Sequence, residues 1–240
     1  MTQGLAVVAG ATGALGSAIS EALRGRGLTV LGLARHGGHR PDLMEVDLRD
    51  EDSVASVKDR IDGVVRALVH VAGPPLAGGI TDVDTGSVLE AVDVKVNGLL
   101  RLVRAVDHQL AVGSRIVAVT GHLGYDPVPA SVAAGVANAA LAALVRQLAR
   151  VYGPRGITCH AVAPGPVESP RVDRLIEHLA TESGLTLEEA RARLLDEASV
   201  DRFATPEDVA WAVSLLLDEP AAVMNGSTLF LDGGRRTAIP

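Results

Sequence analysis

The sequence predicts an α/β fold, a single domain over residues 1–240 built on a doubly wound parallel sheet with helices on both faces. Three observations predict it. Short apolar runs alternate with helical patterns, which is typical of a parallel sheet covered on both faces. The 48% of hydrophobic residues suffice for a sizeable core at this length. No repeat, low-complexity tract or linker divides the sequence.

Seven apolar runs are predicted to form the strands. The first is a short, almost uninterrupted apolar run, which is typical of a strand buried on both faces. The predicted strands are residues 5–9, 28–33, 43–46, 64–71, 115–120, 157–163 and 228–231.

Helical periodicity fills the segments between the strands. One helix follows the first glycine-rich stretch and ends near Gly25 and Gly27, where glycine favours termination. Within the polar segment 167–200, Thr186 and Glu189 have the spacing of a capping box. The other predicted helices are a polar one around 54–61, two long ones over 88–106 and 132–152, and one that begins at Pro206.

The composition excludes several classes of function. A net charge of −7 lacks the basic surface of a nucleic-acid binder. The single cysteine, Cys159, excludes an internal disulfide and a zinc cluster, and fits a reducing compartment. No secretory signal is visible, and no uninterrupted apolar run reaches the ~20 residues of a membrane helix. We therefore expect a cytoplasmic protein with a small-molecule substrate and neither a nucleic-acid nor a membrane partner.

The first strand–turn–helix unit predicts a nucleotide site. Its glycines allow a tight turn and a close approach to a pyrophosphate, and the helix that follows offers free N–H groups to that phosphate. The spacing G-x-x-G-x-x-G differs from the commonest fingerprint, and an ordinary βα turn is the alternative. The predicted cofactor contacts in this turn are Gly10, Thr12, Gly13, Leu15 and Gly16.

The end of the second strand predicts which dinucleotide binds. An NAD site usually has Asp or Glu there to hold the ribose 2′-hydroxyl. Here Ala34 is followed by Arg35, whose guanidinium suits a 2′-phosphate. His36 and Arg40 add positive charge nearby. We therefore expect NADP(H) in preference to NAD(H), unless Arg35 is only a solvated strand-end residue.

From residue 4 to residue 234 the chain resembles the short-chain dehydrogenase/reductase family. The resemblance rests on VAGATGALG (8–16), VDL (46–48), AG (72–73), GI (156–157), VAPGPV (162–167), RFATPEDVA (202–210) and LDGG (231–234). It implies a Rossmann-type fold and a nicotinamide-dependent oxidoreductase. It also implies a homodimer or homotetramer formed through the helices 88–106 and 132–152.

The resemblance implies further cofactor contacts and a lid. Asp47 matches the residue that meets the adenine, and segment 167–200 matches the substrate lid, in which Arg171 is one of several arginines. A solvated charged face is the alternative for that segment. The remaining implied cofactor contacts are Leu48, Ala72, Gly73, Pro164, Gly165 and Val167.

The family's catalytic tetrad has no counterpart at the matching positions. Its tyrosine falls on Ala134, its lysine on Asn138, its serine on Gly121 and its asparagine on Lys95. Glycine and alanine carry no hydroxyl that could transfer a proton. A one-gap alternative uses Asn97 in place of Lys95 but puts the next glycine out of register. The resemblance therefore implies the fold and the cofactor without the usual proton donor.

Four residues are candidates for catalysis. Lys95 and Asn138 look like an exchange of the family's asparagine and lysine, which would keep an ammonium and an amide in the pocket. His122 and Tyr125 lie after the fifth strand, and either could replace the missing acid. Purely structural roles are the alternative for all four. His70, at the end of the fourth strand, is expected to pack beside the pocket without doing chemistry.

Three functions remain open. The first is an NADP(H)-dependent oxidoreductase with a displaced acid. The second is a redox-neutral enzyme, such as a dehydratase, isomerase or cyclase, in which positioning and the charge of Lys95 dominate. The third is a non-catalytic protein that binds a nucleotide or a partner chain.

Overall fold

Seven apolar segments pair into one parallel sheet in the computed structural model, which describes residues 4–37, 40–74 and 78–237. Six of the seven strands follow the sequence prediction closely, whereas the fifth begins at Leu110 and not at the predicted residue 115; the doubly wound parallel sheet is confirmed. They are β1 (Leu5–Ala9), β2 (Thr29–Ala34), β3 (Leu43–Glu45), β4 (Val65–His70), β5 (Leu110–Val119), β6 (Thr158–Pro164) and β7 (Thr228–Leu231).

The strand order is β3-β2-β1-β4-β5-β6-β7. The chain starts in the middle of the sheet, runs out to one edge, and then crosses over to β4 and the other edge. In the pairing register Ala9 is opposite His70, and His70 is opposite Ala118. The carboxyl ends of the central strands are therefore level, and they open a crevice between β1 and β4, where such folds bind ligands.

Eight α-helices are present in the part of the chain that the structure describes. They are α1 (Ala14–Gly25), α2 (Glu51–Ala55), α3 (Thr85–Val92), α4 (Gly98–Val106), α5 (Val132–Tyr152), α6 (Pro170–Ser183), α7 (Leu187–Leu195) and α8 (Pro206–Leu215). A π-helical turn, Asp93–Asn97, joins α3 to α4.

The side chains of the strands alternate between two cores, as the pleat of a sheet requires. Val7 of β1 joins the core that α2, α4 and α5 cover. Its neighbours Ala6 and Val8 join the core on the other face, under α1 and α8. Burial on both faces is the reason that the central strands consist almost entirely of apolar residues.

Besides β5, three segments differ from the sequence prediction. The helix predicted over 88–106 begins earlier, at Thr85, and contains the π-helical turn. The segment 167–200 divides into α6 and α7 because Gly184 adopts φ +65° and ends α6. A 3₁₀ turn over Glu219–Met224 was not predicted.

The long helix α5 and the turn after it, Val132–Arg155, are long and apolar enough to cross a membrane by length and composition. Half of this stretch is buried inside the protein, and α5 packs against β6 and α3. Buried core helices share this composition, so the packing of α5 accounts for it.

Candidate functional site

The turn between β1 and α1 forms a cradle from which side chains are excluded. Gly10 has φ +89°, and a Cβ on it would lie 2.8 Å from the backbone nitrogen of Ala72. A Cβ on Gly16 would collide with the carbonyl oxygen of Gly10 and lie 2.8 Å from the Cα of Ala11. The glycines at 10 and 16 are therefore required by the close approach of backbone segments.

The start of α1 leaves its amide groups available to an anion. Gly13 is the N-cap residue, with φ −76° and no capping side chain, and the first turn contains no acidic residue. Thr12 and Gly13 are exposed at the mouth of the turn, while Leu15 is half-buried behind them. Uncapped N–H groups at the positive end of a helix dipole favour a phosphate. The structure thus brings the five predicted residues of this turn together in a cradle that fits a pyrophosphate.

Arg35 and His36 are exposed immediately after β2, on the same side as this cradle. The carboxylate of Asp47 accepts a 2.7 Å hydrogen bond from Nη2 of Arg49, and this pair lowers the pKa of Asp47 to about 2, with a smaller contribution from the charge of Arg35. The guanidinium of Arg40 is paired with Asp42 at 3.0 Å. Among the described residues, Arg40 and Arg49 are therefore paired with carboxylates, whereas Arg35 forms no ion pair and remains available to an anion.

Two of the predicted contacts sit on the wall of the crevice, and one is turned into the core. Ala72 lies against Gly10 of the cradle, and Gly73 follows it. The side chain of Leu48 is buried against α4. A Cβ added to Gly98 of that helix would lie 3.1 Å from the Cβ of Leu48. Only the backbone of Leu48 can therefore face a ligand.

Lys95 points into the protein from the π-helical turn. It is only 8% exposed, and its Nζ donates a long hydrogen bond of 3.4 Å to the carbonyl oxygen of Val119 at the end of β5. Burial lowers the pKa of Lys95 to about 8, and the positive charge of Arg171 lowers it further. Asn97 is exposed instead and donates a hydrogen bond to Asp93 at 2.9 Å. The arrangement favours Lys95 over Asn97 as the residue that faces the site.

Asn138 is buried on α5, one turn after the buried Ala134. The loop after β5 packs against Asn138. A Cβ on Gly121 would lie 2.7 Å from the side-chain Nδ2 of Asn138, and a Cβ on Gly124 would lie 2.7 Å from its main-chain carbonyl carbon. Its Oδ1 has no hydrogen-bond partner among the described residues. The glycines of this loop and the amide of Asn138 thus fit one another.

His122 lies at the carboxyl end of the sheet. Its Nδ1 is 3.3 Å from the carbonyl oxygen of Pro164 at the end of β6. β6 is the neighbour of β5, where Lys95 makes its contact with Val119. Burial lowers the pKa of His122 below its usual value, so the neutral imidazole is favoured near pH 7.

The side chain of Tyr125 is directed towards β7 and away from Lys95 and His122. Its hydroxyl is 2.6 Å from the hydroxyl of Thr228, and its ring meets the ring of Phe230 edge to face at 4.7 Å. Thr228 begins β7 and is opposite Ala161, three positions before the end of β6. The structure therefore does not bring Tyr125 together with Lys95 and His122, and its proposed role as an acid remains a prediction that the geometry does not favour.

The segment after β6 connects the crevice to the lid. The backbone nitrogen of Gly165 donates to Leu231, and a Cβ on Gly165 would lie 3.1 Å from the Cα of Asp232. Val167 pairs with Ala204, and together with Pro164 these contacts fix the start of the lid. The lid itself, α6 and α7, encloses its own apolar cluster around Phe203.

Arg171, one of the arginines expected in the lid, lies at the start of α6. Its charge reaches Lys95 from the lid. Its effect on Lys95 was not predicted from the sequence, which indicated only that Arg171 belongs to the lid. The crevice thus joins an anion cradle at one end to a buried amine, an imidazole and a carboxamide at the other. This arrangement can hold a dinucleotide and move a proton at its far end.

Relatives with this fold are known. Residues 10–236 match the profile of a family described as "Enoyl-(Acyl carrier protein) reductase". The chain is 31% identical over 248 residues to cis-4-hydroxycyclohexanecarboxylate dehydrogenase of Sinomonas cyclohexanicum, an alignment that covers 96% of this chain and 95% of that protein.

Solved structures resemble it over almost the whole chain. A short chain dehydrogenase family protein from Francisella tularensis superposes with a TM-score of 0.89 at 25% identity, covering 98% of this chain and 99% of that one. A variant of actinorhodin polyketide ketoreductase solved with NADPH superposes with a TM-score of 0.90 at 24% identity, covering 98% of each chain, and supports the fold alone. Both the matches along the sequence and the fold lead to one conclusion. The chain belongs to the short-chain dehydrogenase/reductase family, whose members are oxidoreductases that bind nicotinamide cofactors.

Proposed function

We propose that this protein is an NADP(H)-dependent oxidoreductase of small carbonyl or alcohol substrates in which Lys95 replaces the customary tyrosine as proton donor. The observation that carries the proposal is the buried Lys95 amine on the same sheet edge as the glycine cradle. A proton donor works best when its pKa is close to the working pH. Lys95 meets this condition with a pKa of about 8.

The residues present fit a dinucleotide. The glycine cradle and the uncapped start of α1 would hold the pyrophosphate, and Arg35 would pair with a 2′-phosphate. When bound, the nicotinamide supplies or accepts the hydride. The Lys95 ammonium would donate a proton to the substrate oxygen in reduction, and the neutral amine would take it back in oxidation. His122, at the end of the neighbouring strand, is the second candidate for this role.

The preference for NADP(H) is tested by titrating NADPH and NADH into the protein and into Arg35→Ser. A charge-assisted hydrogen bond contributes about 1.5–3 kcal/mol, which corresponds to roughly a 10- to 100-fold loss of NADPH affinity. NADH affinity should change little. Arg104→Ser, an exposed arginine on α4, is the matched control and should bind both as the unchanged protein does. Equal losses for both dinucleotides in Arg35→Ser would contradict the assignment.

The displaced acid is tested with Lys95→Met and His122→Ala against a panel of aldehydes and ketones. We expect Lys95→Met to bind NADPH normally and to lose about 100-fold or more in kcat, because general acid catalysis contributes typically 10²- to 10⁴-fold. His122→Ala should lose less. Full turnover in Lys95→Met would remove Lys95 from the proton transfer.

A redox-neutral reaction is the second candidate, because Gly121 and Ala134 carry no hydroxyl at the positions that match the family's serine and tyrosine. The two candidates differ in the absorbance of NADPH. A reduction consumes NADPH with each product molecule, whereas a dehydration, isomerisation or cyclisation forms product while NADPH absorbance stays constant. A non-catalytic role would leave both product and NADPH unchanged with every substrate.

A homodimer or homotetramer formed through α3, α4 and α5 is also part of the proposal. Leu89 of α3 and Val136 of α5 are exposed apolar residues on these helices. Leu89→Glu and Val136→Glu should therefore lower the sedimentation coefficient of the assembly. Val223→Glu, a change at a fully accessible valine outside these helices, should leave it unaltered. An unchanged coefficient in all three variants would exclude this interface.

A further inference from the structure

We propose that Lys95 is also a nucleophile whose amine forms a covalent iminium with an aldehyde or ketone at the carboxyl edge of the sheet. This activity differs from hydride transfer and does not require a bound dinucleotide. It rests on the surroundings of the Lys95 amine, in which the residues that the structure describes include no carboxylate paired with it.

Lysine is rare in this chain. Only two of its 22 lysine and arginine residues are lysines, Lys58 and Lys95. Lys58 is exposed on a 3₁₀ turn, whereas Lys95 is buried at the crevice. An arginine stays protonated in proteins and cannot attack a carbonyl, while a buried lysine can lose its proton and do so. Of the two lysines, Lys95 is therefore the buried one, and it lies at the carboxyl edge of the sheet.

The neighbours of Lys95 favour its neutral form. Among the described residues no carboxylate forms an ion pair with it, and its hydrogen bond to Val119 of β5 is long, at 3.4 Å. His70 of β4 is fully buried, and neither ring nitrogen has a hydrogen-bond partner among the described residues. The positive charge of Arg171, an exposed residue of α6, lowers the pKa of Lys95 further. Burial beside another cation is a known way of activating a lysine nucleophile.

The groups on the remaining elements do not reverse this effect. The carboxylate of Asp93, on the same turn as Lys95, forms an ion pair with Arg101 at 3.0 Å and accepts a hydrogen bond from the side-chain amide of Asn97. Asn138, on α5 against this turn, is an uncharged amide. The pKa of Lys95 is consequently lowered to about 8. We therefore expect the pH dependence of reductive labelling at this site to follow the titration of Lys95 itself.

The wall beside the amine is made of small residues. A Cβ on Gly73 would lie 3.1 Å from Cε of Lys95, so the backbone of Gly73 packs directly against the lysine side chain and leaves no room for a side chain of its own. Gly121 lies two residues after Val119, the last residue of β5, whose carbonyl oxygen accepts the hydrogen bond from Lys95. Lys95 keeps 8% of its surface exposed, and a small carbonyl compound would have to reach Nζ through that exposed part.

The step is balanced without an oxidant or reductant. The lone pair of the neutral amine attacks the carbonyl carbon, a C–N bond forms, and the oxygen takes up the proton that the amine releases. The resulting hydroxyl then leaves as water with one further proton, and the nitrogen keeps its last hydrogen in a C=N bond. Overall an ammonium and a carbonyl compound give an iminium and water.

Reductive trapping tests the proposal. The folded protein, without NADPH, is incubated at pH 7 with propionaldehyde and cyanoborohydride, and the propylated lysines are quantified by peptide mass spectrometry. Lys58 is the internal control in every sample. A lysine with a pKa of 8 has roughly 100-fold more neutral amine at pH 7 than one with the ordinary value of about 10.4. We expect Lys95 to be labelled at least 10-fold faster than Lys58, with a rate that rises up to about pH 8 and then levels off.

Two variants keep the test decisive. Lys95→Met should lose the fast label and keep the slow label on Lys58, whereas Lys58→Arg should keep the fast label. Circular dichroism verifies that both are folded. Slower labelling of Lys95 than of Lys58 in the folded protein would overturn the proposal, as would labelling of Lys95 only in urea. Either result leaves NADPH binding, measured by the titration described above, as a separate question.

Discussion

Gly16 has no room for a side chain, because its Cβ would meet the carbonyl oxygen of Gly10 and the Cα of Ala11, both of which are backbone atoms. Backbone in a tight turn cannot yield as a flexible side chain can. We expect Gly16→Ala to lower the free energy of unfolding by about 1–3 kcal/mol, the usual cost of overpacking. Urea denaturation followed by circular dichroism measures this loss.

Gly13 is the matched control in the same turn. Its φ of −76° suits any residue, and the nearest atom to its Cβ would be the carbonyl oxygen of Gly10 at 3.6 Å. Gly13→Ala should therefore change the unfolding free energy by less than about 1 kcal/mol. A loss in Gly13→Ala as large as that in Gly16→Ala would show that the turn is sensitive to any added methyl group, which the contacts do not predict.

Gly121 and Asn138 should be energetically coupled. A Cβ at position 121 would lie 2.7 Å from Nδ2 of Asn138, which is buried and cannot swing into solvent. We expect Gly121→Ala to destabilise the protein, and Asn138→Ala to relieve most of that loss in the double variant. Contacting residues typically show coupling energies of about 0.5–3 kcal/mol. A double-mutant cycle in urea gives the value, and simple additivity would contradict the contact.

At the scale of elements, two helices begin with the same capping device but support different parts of the molecule. Thr205 caps α8 and Thr186 caps α7, each in a reciprocal capping box. The buried face of α8 belongs to the core beneath the sheet, whereas α7 packs in the separate apolar cluster of the lid. Loss of either cap should cost its own helix about 1 kcal/mol.

We expect Thr205→Ala to lower the unfolding free energy of the whole protein by about that amount. Thr186→Ala should instead increase hydrogen exchange in α6 and α7 with little change in global stability, because the lid can open on its own. Exchange mass spectrometry and urea denaturation of the two variants provide the comparison. Equal global losses would mean that the lid unfolds together with the sheet.

The order of the elements could be predicted from the sequence because strand and helix periodicities are local. The start of β5 could not. Leu110 pairs with Val65 but Arg115 pairs with Ala67, so the intervening residues form a bulge that includes Gly113 at φ +87°. A bulge breaks the alternation on which the prediction of a strand depends. The π-helical turn likewise breaks the helical period, and this turn decides that Lys95 faces inward and Asn97 outward.

In the candidate site, too, the local features could be predicted and the contacts between distant residues could not. The glycine cradle and Arg35 lie within or next to one strand–turn–helix unit, so their positions follow from local sequence. The partner of Tyr125 is Thr228, which is 103 residues further along the chain, and Arg171 acts on Lys95 from the lid. Contacts of this kind depend on how distant elements pack, and a single sequence carries little information about that packing.

At the scale of the whole molecule, the buried amine should make stability depend on pH. The pKa of Lys95 falls from 10.5 to about 8 on folding, so between these values the unfolded chain binds more protons than the folded one. The free energy of unfolding therefore rises as pH increases from 8 to 10.5. The cost of burying the ammonium is fully present below pH 8 and amounts to roughly 3 kcal/mol, at about 1.4 kcal/mol for each pH unit.

Lys95→Met isolates this contribution, since methionine fills a similar volume without a charge. Relative to the unchanged protein, we expect Lys95→Met to be more stable by up to about 3 kcal/mol at pH 7, with the advantage shrinking as the pH is raised from 8 to 10. Lys58→Met, at the exposed lysine, should show a constant difference over the same range. Urea denaturation of the three proteins at each pH makes the measurement, and subtraction removes every other titrating group. A Lys95→Met advantage that does not change with pH would mean that the pKa of Lys95 is not lowered on folding, and the roles proposed for it in proton transfer and in iminium formation would lose their common basis.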